Sequence, residues 1–312
     1  MLKVKLRKAG DVSMLNRLLF THIDLDGYTS RIMVQRAYPT IQIKHVDYGF
    51  DALSENRKLM AEADMIIFTD ISISQETAEL LEMTRQSGKK LLLLDHHQSA
   101  YDNLHDLGYE WIKIDQSKSG ALLAYEYFSS TYPNELEGYE NLAKYVSDYD
   151  LWEHKYPESK MLQFLWSRDS DYFTQRFLKN PEVRFSDDEM SIINESLKNL
   201  EDSYQEAIGS LSSHQDKEGL TFGLIKSIGL LSSLVADRIM KENPSIDYLV
   251  IMNKKGSLSL RSLHYEVRKI AEALGGGGHP LASGVPMPEG KIVDVVESIK
   301  NREWKYFELN LG

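Results

Sequence analysis

"KKLLLLDHHQSA", residues 89–100, decides the fold. Four leucines, Leu91–Leu94, run without a break into Asp95, His96 and His97. A short, uninterrupted apolar run bounded by polar residues is the pattern of a strand buried on both faces, as in a parallel sheet. The acid and the two imidazoles then stand at its C-terminal end. Upstream, "RLLFTHI" (17–23) reads as another buried strand, "YTSRIMVQRAY" (28–38) as a helix, and "TIQIKHV" (40–46) as an alternating strand. "ADMIIFTDI" (63–71) reads as a third strand and "SQETAELLEMTRQSG" (74–88) as a helix stopped at Gly88. Strands alternating with helices imply an α/β fold, a parallel sheet with helices on its faces. In such sheets ligands bind outside the carboxyl ends of the strands.

Three of these strands end alike, in "THIDLDG", "FTDIS" and "LDHHQ". They deliver His22, Asp24, Asp26, Asp70, Asp95, His96 and His97 to one edge of the sheet, and "VSDYDLW" adds Asp148 and Asp150. So many carboxylates in one cleft lose their charge unless a cation sits among them. Imidazole with carboxylate suits Mn, Fe, Zn or Co. The set is large enough for two ions sharing a carboxylate, and two-metal sites cleave phosphate esters by in-line displacement. Singly, each residue also has a structural reading. Asp24 and Asp26 can cap the following helix, Asp70 can cap before Ser72, and Asp148 and Asp150 can sit at a solvated helix end.

The chain's 312 residues suggest two domains. With no cysteine, disulfides and thiolate metal sites are excluded, and a cytoplasmic location fits. "MLKVKLRKAGDVSMLNRLLF" lacks the apolar core of a signal peptide, and no apolar run approaches the roughly 20 residues of a membrane span. The net charge of −11 argues against an electrostatic grip on long nucleic acid. That charge is uneven: residues 217–312 sum to +2 and the first 216 to −13, an excess of acid that a bound divalent metal offsets. The layout read from the pattern is a catalytic domain over 1–185, a connecting helix over 186–216, and a smaller α/β domain over 217–312. In the last, 219–225 reads as strand and 229–242 as helix. A strand pair around Lys255-Gly256 and a helix in "YEVRKIAEAL" follow. The run Gly275–Gly278 in "GGGGHPLASG" lets backbone approach an anion closely, since no side chain intervenes. A plain linker would not continue into His279-Pro280 and Ser283-Gly284. Arg261, closing "LSLRS", suits a two-pronged phosphate contact, and His264 is a weaker candidate of the same kind. There is no GxxxxGK[ST] loop and no GxSxG elbow.

"HIDLDG", "TDIS", "LDHH" and "SDYD", in this order, resemble the four motifs of the DHH phosphoesterase superfamily. "GGGGHPLASG" resembles the glycine-rich signature of its DHH-associated C-terminal domain. The resemblance covers residues 22–284 and implies a two-manganese phosphodiesterase in which an activated hydroxide attacks phosphorus. His22 and Asp24 would ligate one ion, Asp26, His96 and Asp148 the other, and Asp70 would bridge them. Asp148 is preferred to Asp150 for its place after Val146-Ser147. Asp95 would orient an imidazole, and His97 would touch the scissile phosphate. Arg261, Gly276, Gly277, Gly278, His279 and Ser283 would grip the substrate. The motif wording looks most like the nanoRNase type of oligoribonuclease. That implies short single-stranded RNA, hydrolysed to mononucleotides, with no long nucleic acid and no membrane as partner; a homodimer is left open. Adenosine bisphosphate and cyclic-dinucleotide products are alternative substrates, and a non-catalytic nucleotide sensor is the alternative of another class.

Overall fold

In the computed structural model, which describes residues 15–47, 52–226, 232–254 and 256–307, the leucine run is strand β4 (Lys90–Asp95). It lies in a five-stranded sheet with β1 (Arg17–His22), β2 (Gln42–Val46), β3 (Met65–Thr69) and β5 (Ile112–Ile114), in the order β2-β1-β3-β4-β5. Every pairing is parallel. The central strands explain the missing polar alternation. Leu18, Phe20, Ile66, Phe68, Leu91 and Leu93 share one core with Ala78 and Leu81 of α3 (Gln75–Gln86) and with Ala100 and Leu104 of α4 (Gln98–Leu104). Their neighbours Leu19, Ile67, Leu92 and Leu94 are buried as well. Those point to the opposite face, where α1 (Leu25–Ala37) and α5 (Gly120–Ser129) pack. The edge strands β2 and β5 are only partly buried, which is why they alternate.

The chain runs from β1 outward to β2, then returns to the other side of β1 as β3. That reversal makes a switch point between β1 and β3, where a crevice opens beyond the strand ends. The expected parallel α/β sheet is therefore present. Among the elements not read from the sequence are α2 (Ala52–Glu62), α4 and the three-residue β5. The helices α6 (Glu140–Asp150), α7 (Pro157–Arg168) and α8 (Ser170–Lys179) complete this region.

The chain forms two compact units that divide between Ile193 and Asn194, within the long helix α9 (Asp187–Ser210). The segment 186–216 is not one helix throughout. After Ser210 the chain turns into β6 (Ser212–Gln215), whose polar, alternating residues suit a sheet edge. The second unit adds β7 (Thr221–Lys226), α10 (Ser232–Glu242), β8 (Tyr248–Asn253), β9 (Ser257–Arg261) and α11 (Arg268–Ala273), then β10 (Gly277–His279), β11 (Ala282–Pro286) and α12 (Val295–Asn301). Its six strands run β10-β11-β9-β8-β7-β6, and only β7–β8 is parallel. Residues 229–231 of the expected helix and Lys255 of the expected turn lie outside the described residues. Among the described residues no helix is long and apolar enough to cross a membrane.

Candidate metal centre

The ends of β1, β3 and β4 meet as the sequence pattern implies, and each end is shaped by local backbone chemistry. After β1, Asp24 caps α1, its Oδ1 accepting from the Gly27 N–H at 2.9 Å. Its Oδ2 lies 2.7 Å from His22 Nδ1. Asp26, in the first turn of α1, is 1% exposed and accepts the Gly120 N–H at 2.7 Å and the Ala121 N–H at 2.9 Å. Those two amides open helix α5, so the carboxylate sits on a helix N-terminus. The approach is close enough to demand glycine. A Cβ on Gly120 would fall 2.6 Å from Asp70 Cβ and 3.0 Å from Asp26 Oδ2.

Asp70 follows β3 with φ of 55°, in the left-handed region that a non-glycine residue seldom enters. Such a conformation costs about 1–3 kcal/mol and persists where the surroundings enforce it. Its carboxylate is almost wholly buried. Oδ1 lies 3.3 Å from His96 Nε2 and 3.9 Å from His97 Nδ1, and Oδ2 lies 4.0 Å from His22 Nδ1. At the end of β4, Asp95 is fully buried and its Oδ1 accepts from the His96 N–H (2.8 Å), the His97 N–H (3.3 Å) and His97 Nδ1 (2.8 Å). Ser72 Oγ donates to Asp95 Oδ2 at 3.0 Å, and Ser99 Oγ stands 2.7 Å behind Ser72.

Asp148, expected as the fourth-motif ligand, is not brought to this cluster. It is buried, but it accepts from the Lys155 N–H at 2.8 Å, the Tyr156 N–H at 3.3 Å and the Ser159 hydroxyl. It pins the loop between α6 and α7. Asp150 takes the position instead, 3.4 Å from His96 Nε2. Three groups of ligating atoms result, each within 4.8 Å: His22, Asp24 and Asp70; Asp26, His96 and Asp150; and Asp70, Asp95, His96 and His97. Asp70 belongs to two of them.

The electrostatics ask for a cation. Burial pushes Asp70 well above the usual carboxylate range, and the charges of Asp24, Asp26, Asp150 and Asp95 push it further. Asp150 is raised well above that range by burial and by Asp26, Asp24 and Asp95. Asp26 is raised by burial against the opposing pull of His96. Burial works against Asp24 and Asp95 too. The hydrogen bond and charge of His22 outweigh it for Asp24, those of His97 for Asp95, and both fall below the usual value. Burial lowers His96, whereas the Asp95 hydrogen bond overcomes burial and raises His97. Asp70 Oδ2 and His96 Nε2 are buried without any hydrogen-bond partner among the described residues. Orphaned acceptors and mutually repelling carboxylates fit divalent metal ions, and the mixed imidazole–carboxylate donor set suits Mn, Fe, Zn or Co.

The other expected residues gather in the second unit. Arg261 ends β9; its Nη1 donates to the Leu260 carbonyl at 2.9 Å and to the Ser283 carbonyl at 3.5 Å. Ser283 is buried and donates to the His279 carbonyl at 2.8 Å, while His279 and His264 are exposed. The glycine run is half strand. Gly277 pairs with Gly284 and Gly278 with Ser283. A Cβ on Gly276 would meet the Gly284 carbonyl at 2.1 Å, so there the close approach is to the chain's own hairpin. Only Gly277, of Gly276–Gly278, faces open space.

Residues 17–149, which hold every cluster residue except Asp150, match the family described as "DHH family, N-terminal domain". Curated relatives extend the likeness beyond that stretch. The chain is 28% identical over 297 residues to the oligoribonuclease NrnB of Bacillus subtilis, covering 85% of this chain and 71% of that one. It is 24% identical over 342 residues to a 3′,5′-cyclic-nucleotide phosphodiesterase of Helicobacter pylori, covering 91% and 95%. Exonuclease RecJ bound to manganese shares the fold, with a TM-score of 0.53, 13% identity, and coverage of 92% of this chain and 89% of that one. Both curated relatives are named for the hydrolysis of phosphodiester bonds. Sequence reasoning named Asp150 but preferred Asp148, and it missed Gly120, Ser72 and Ser99, which support the cluster from the first turns of α5 and α4 and from the segment after β3.

Proposed function

We propose that this protein is a two-metal phosphodiesterase of the cytoplasm that hydrolyses short oligoribonucleotides to mononucleotides. The observation that carries the reading is the set of three overlapping ligand groups, joined through Asp70 and His96. His22, Asp24 and Asp70 would hold one ion, and Asp26, His96 and Asp150, with Asp70, the other. Manganese is the expected metal, in keeping with the imidazole–carboxylate donor set and with the metal-bound RecJ of the same fold. Bound divalent ions supply Lewis-acid activation of water and neutralise charge at phosphorus. The protein's own part is positional. Asp95 fixes the Nδ1 of His97, so the other ring nitrogen is presented to a phosphate oxygen, and Ser72 locks Asp95 in turn. The helix N-terminus behind Asp26 and the strained backbone at Asp70 hold the ligands apart at fixed spacing.

The substrate class is supported by the NrnB relative, whose likeness runs through both units of this chain. Arg261, His279, Ser283 and Gly276–Gly278 serve as the substrate grip of the second unit. The acidic first unit offers no long basic track, so added length brings little further attraction. The test is a length series of single-stranded RNA with Mn²⁺ at fixed salt, run beside adenosine bisphosphate, a cyclic dinucleotide and pyrophosphate. kcat/KM should be highest for the shortest oligonucleotides. A rate that climbs steadily with length, or turnover confined to pyrophosphate, overturns the reading.

A further inference from the structure

One imidazole away from the backbone of His22 stands an arginine that has no ion pair among the described residues. Arg31 of α1 donates through Nη1 to His45 Nε2 at 3.3 Å and through Nε to Gln35 Oε1 at 3.3 Å. His45, in β2, has its Nδ1 2.9 Å from the carbonyl oxygen of His22. A carbonyl only accepts, so His45 Nδ1 carries the proton. A guanidinium only donates, so Nε2 is the acceptor. The imidazole is thus neutral and held in one tautomer between the backbone of a metal-cluster residue and Arg31. Both hydrogen-bond partners of Arg31 are therefore uncharged.

Among the described residues Arg31 makes no ion pair. Asp171 of α8 acts on it only through space, and burial disfavours its charge. A cation stripped of part of its water with no counter-ion is a costly arrangement. The side chains packed on this pair add rings and a further donor. Tyr28 stacks on His45 at 3.9 Å and 18°, and the guanidinium lies 6.0 Å from the Tyr28 ring. Trp166 meets Tyr28 edge-on at 5.9 Å, and its indole N–H is buried with no acceptor among the described residues. In a unit with so large an excess of acid, this is a donor-rich surface one imidazole away from His22.

We propose that Arg31, backed by His45, is a phosphate subsite that holds a substrate phosphate adjacent to the scissile one. It rests on the phosphodiesterase reading and narrows it: the substrate carries a second phosphate beside the bond that is cut. A guanidinium fork suits that group, because it can meet two phosphate oxygens at once while His45 and Gln35 keep its plane fixed.

The test compares a dinucleotide without terminal phosphate with its 5′-phosphorylated and 3′-phosphorylated forms, using wild type, Arg31→Met and Arg31→Lys with Mn²⁺. Wild type should favour one phosphorylated form. Arg31→Met should lower kcat/KM for that form about tenfold to a hundredfold more than for the unphosphorylated dinucleotide, chiefly through KM. Arg31→Lys should recover part of the difference, and metal content and Tm should match wild type. An Arg31→Met enzyme that keeps the full preference for a terminal phosphate, or loses rate equally on all three substrates, overturns the subsite. Failure of wild type to cleave any of the three strikes the phosphodiesterase reading instead. The subsite is then decided by equilibrium binding of the fluorescently labelled dinucleotides, where equal Kd values for wild type and Arg31→Met overturn it.

Discussion

Replacing the two acids of the fourth motif should break the protein in two different ways. Asp148 is 2% exposed, and its carboxylate accepts two backbone N–H groups and the Ser159 hydroxyl. Hydrogen bonds to an ionised group contribute about 1.5–3 kcal/mol each, and they are not additive when they share one carboxylate. The two amides regain water when the loop loosens, so Asp148→Ala should lose about 2–4 kcal/mol. At about 2–4 °C per kcal/mol for a unit of this size, Tm should fall by about 5–15 °C. Metal content should stay near wild type. Asp150→Asn should do the reverse. It removes one carboxylate from the His96 side of the cluster, and losing about 2.7 kcal/mol of transition-state stabilisation there is a hundredfold in kcat. Its metal-free Tm should be unchanged or higher, because Asp26, Asp24 and Asp95 no longer repel a charge at that position. Calorimetry, metal analysis by mass spectrometry and single-turnover rates on a dinucleotide separate the two variants. An Asp150→Asn protein with full metal and full rate, beside an Asp148→Ala protein that loses metal at unchanged Tm, would refute the assignment.

Asp70→Asn should empty both halves of the centre together; two ions per chain at normal turnover would sink its bridging role. Metal-free protein should become less stable as pH rises from about 5 to 8. The raised pKa values of Asp70, Asp150 and Asp26 mean that the folded state binds protons more tightly than the unfolded one. Stability is then lost from the ordinary carboxylate range upward through the raised values. His97, also raised, adds a loss as pH passes its folded pKa. Asp24 and Asp95 are lowered, so their contribution is lost only below their unfolded values, outside this window. Excess Mn²⁺ should reverse the trend, since it competes with those protons; a metal-free melting curve that rises or stays flat from pH 5 to 8 would count against the crowded-carboxylate account. Gly120→Ala should cost about 1–3 kcal/mol by overpacking and should depress activity further by displacing Asp26 and Asp70. Normal kcat in that variant would show that the helix α5 approach is not needed.

What the sequence made legible follows from burial. Leu91–Leu94 announce β4 because both faces of that strand are covered, and the polar residues after Leu94 must then lie at the strand end. The same logic places His22 and Asp70. It fails for groups whose role depends on a neighbour distant in the chain. Gly120 looks like the ordinary start of a helix until Asp70 and Asp26 are packed against it. Ser72 and Ser99 look like turn residues until Asp95 is between them and His97. His45 is one polar position in an alternating edge strand, and only the pairing of β2 with β1 sets it beside the carbonyl of His22.

The fourth motif shows a signal that was present and outweighed. Residues two apart on an α-helix point about 200° apart, so Asp148 and Asp150 cannot serve the same side of α6. Position after Val146-Ser147 favours Asp148. Helical phase favours Asp150, because Leu142, Val146 and Asp150 follow one another at four-residue spacing, and the first two are fully buried. The stripe that anchors the helix in the unit therefore continues into Asp150, which meets His96. Asp148 is buried for another reason: it faces the turn into α7, where Lys155, Tyr156 and Ser159 supply its partners. Burial alone does not distinguish the two acids, and the source of their hydrogen bonds does. An acid whose two oxygens accept from two backbone amides and a serine of the following turn is committed to that turn. An acid 3.4 Å from the unsatisfied Nε2 of His96 faces the cluster instead.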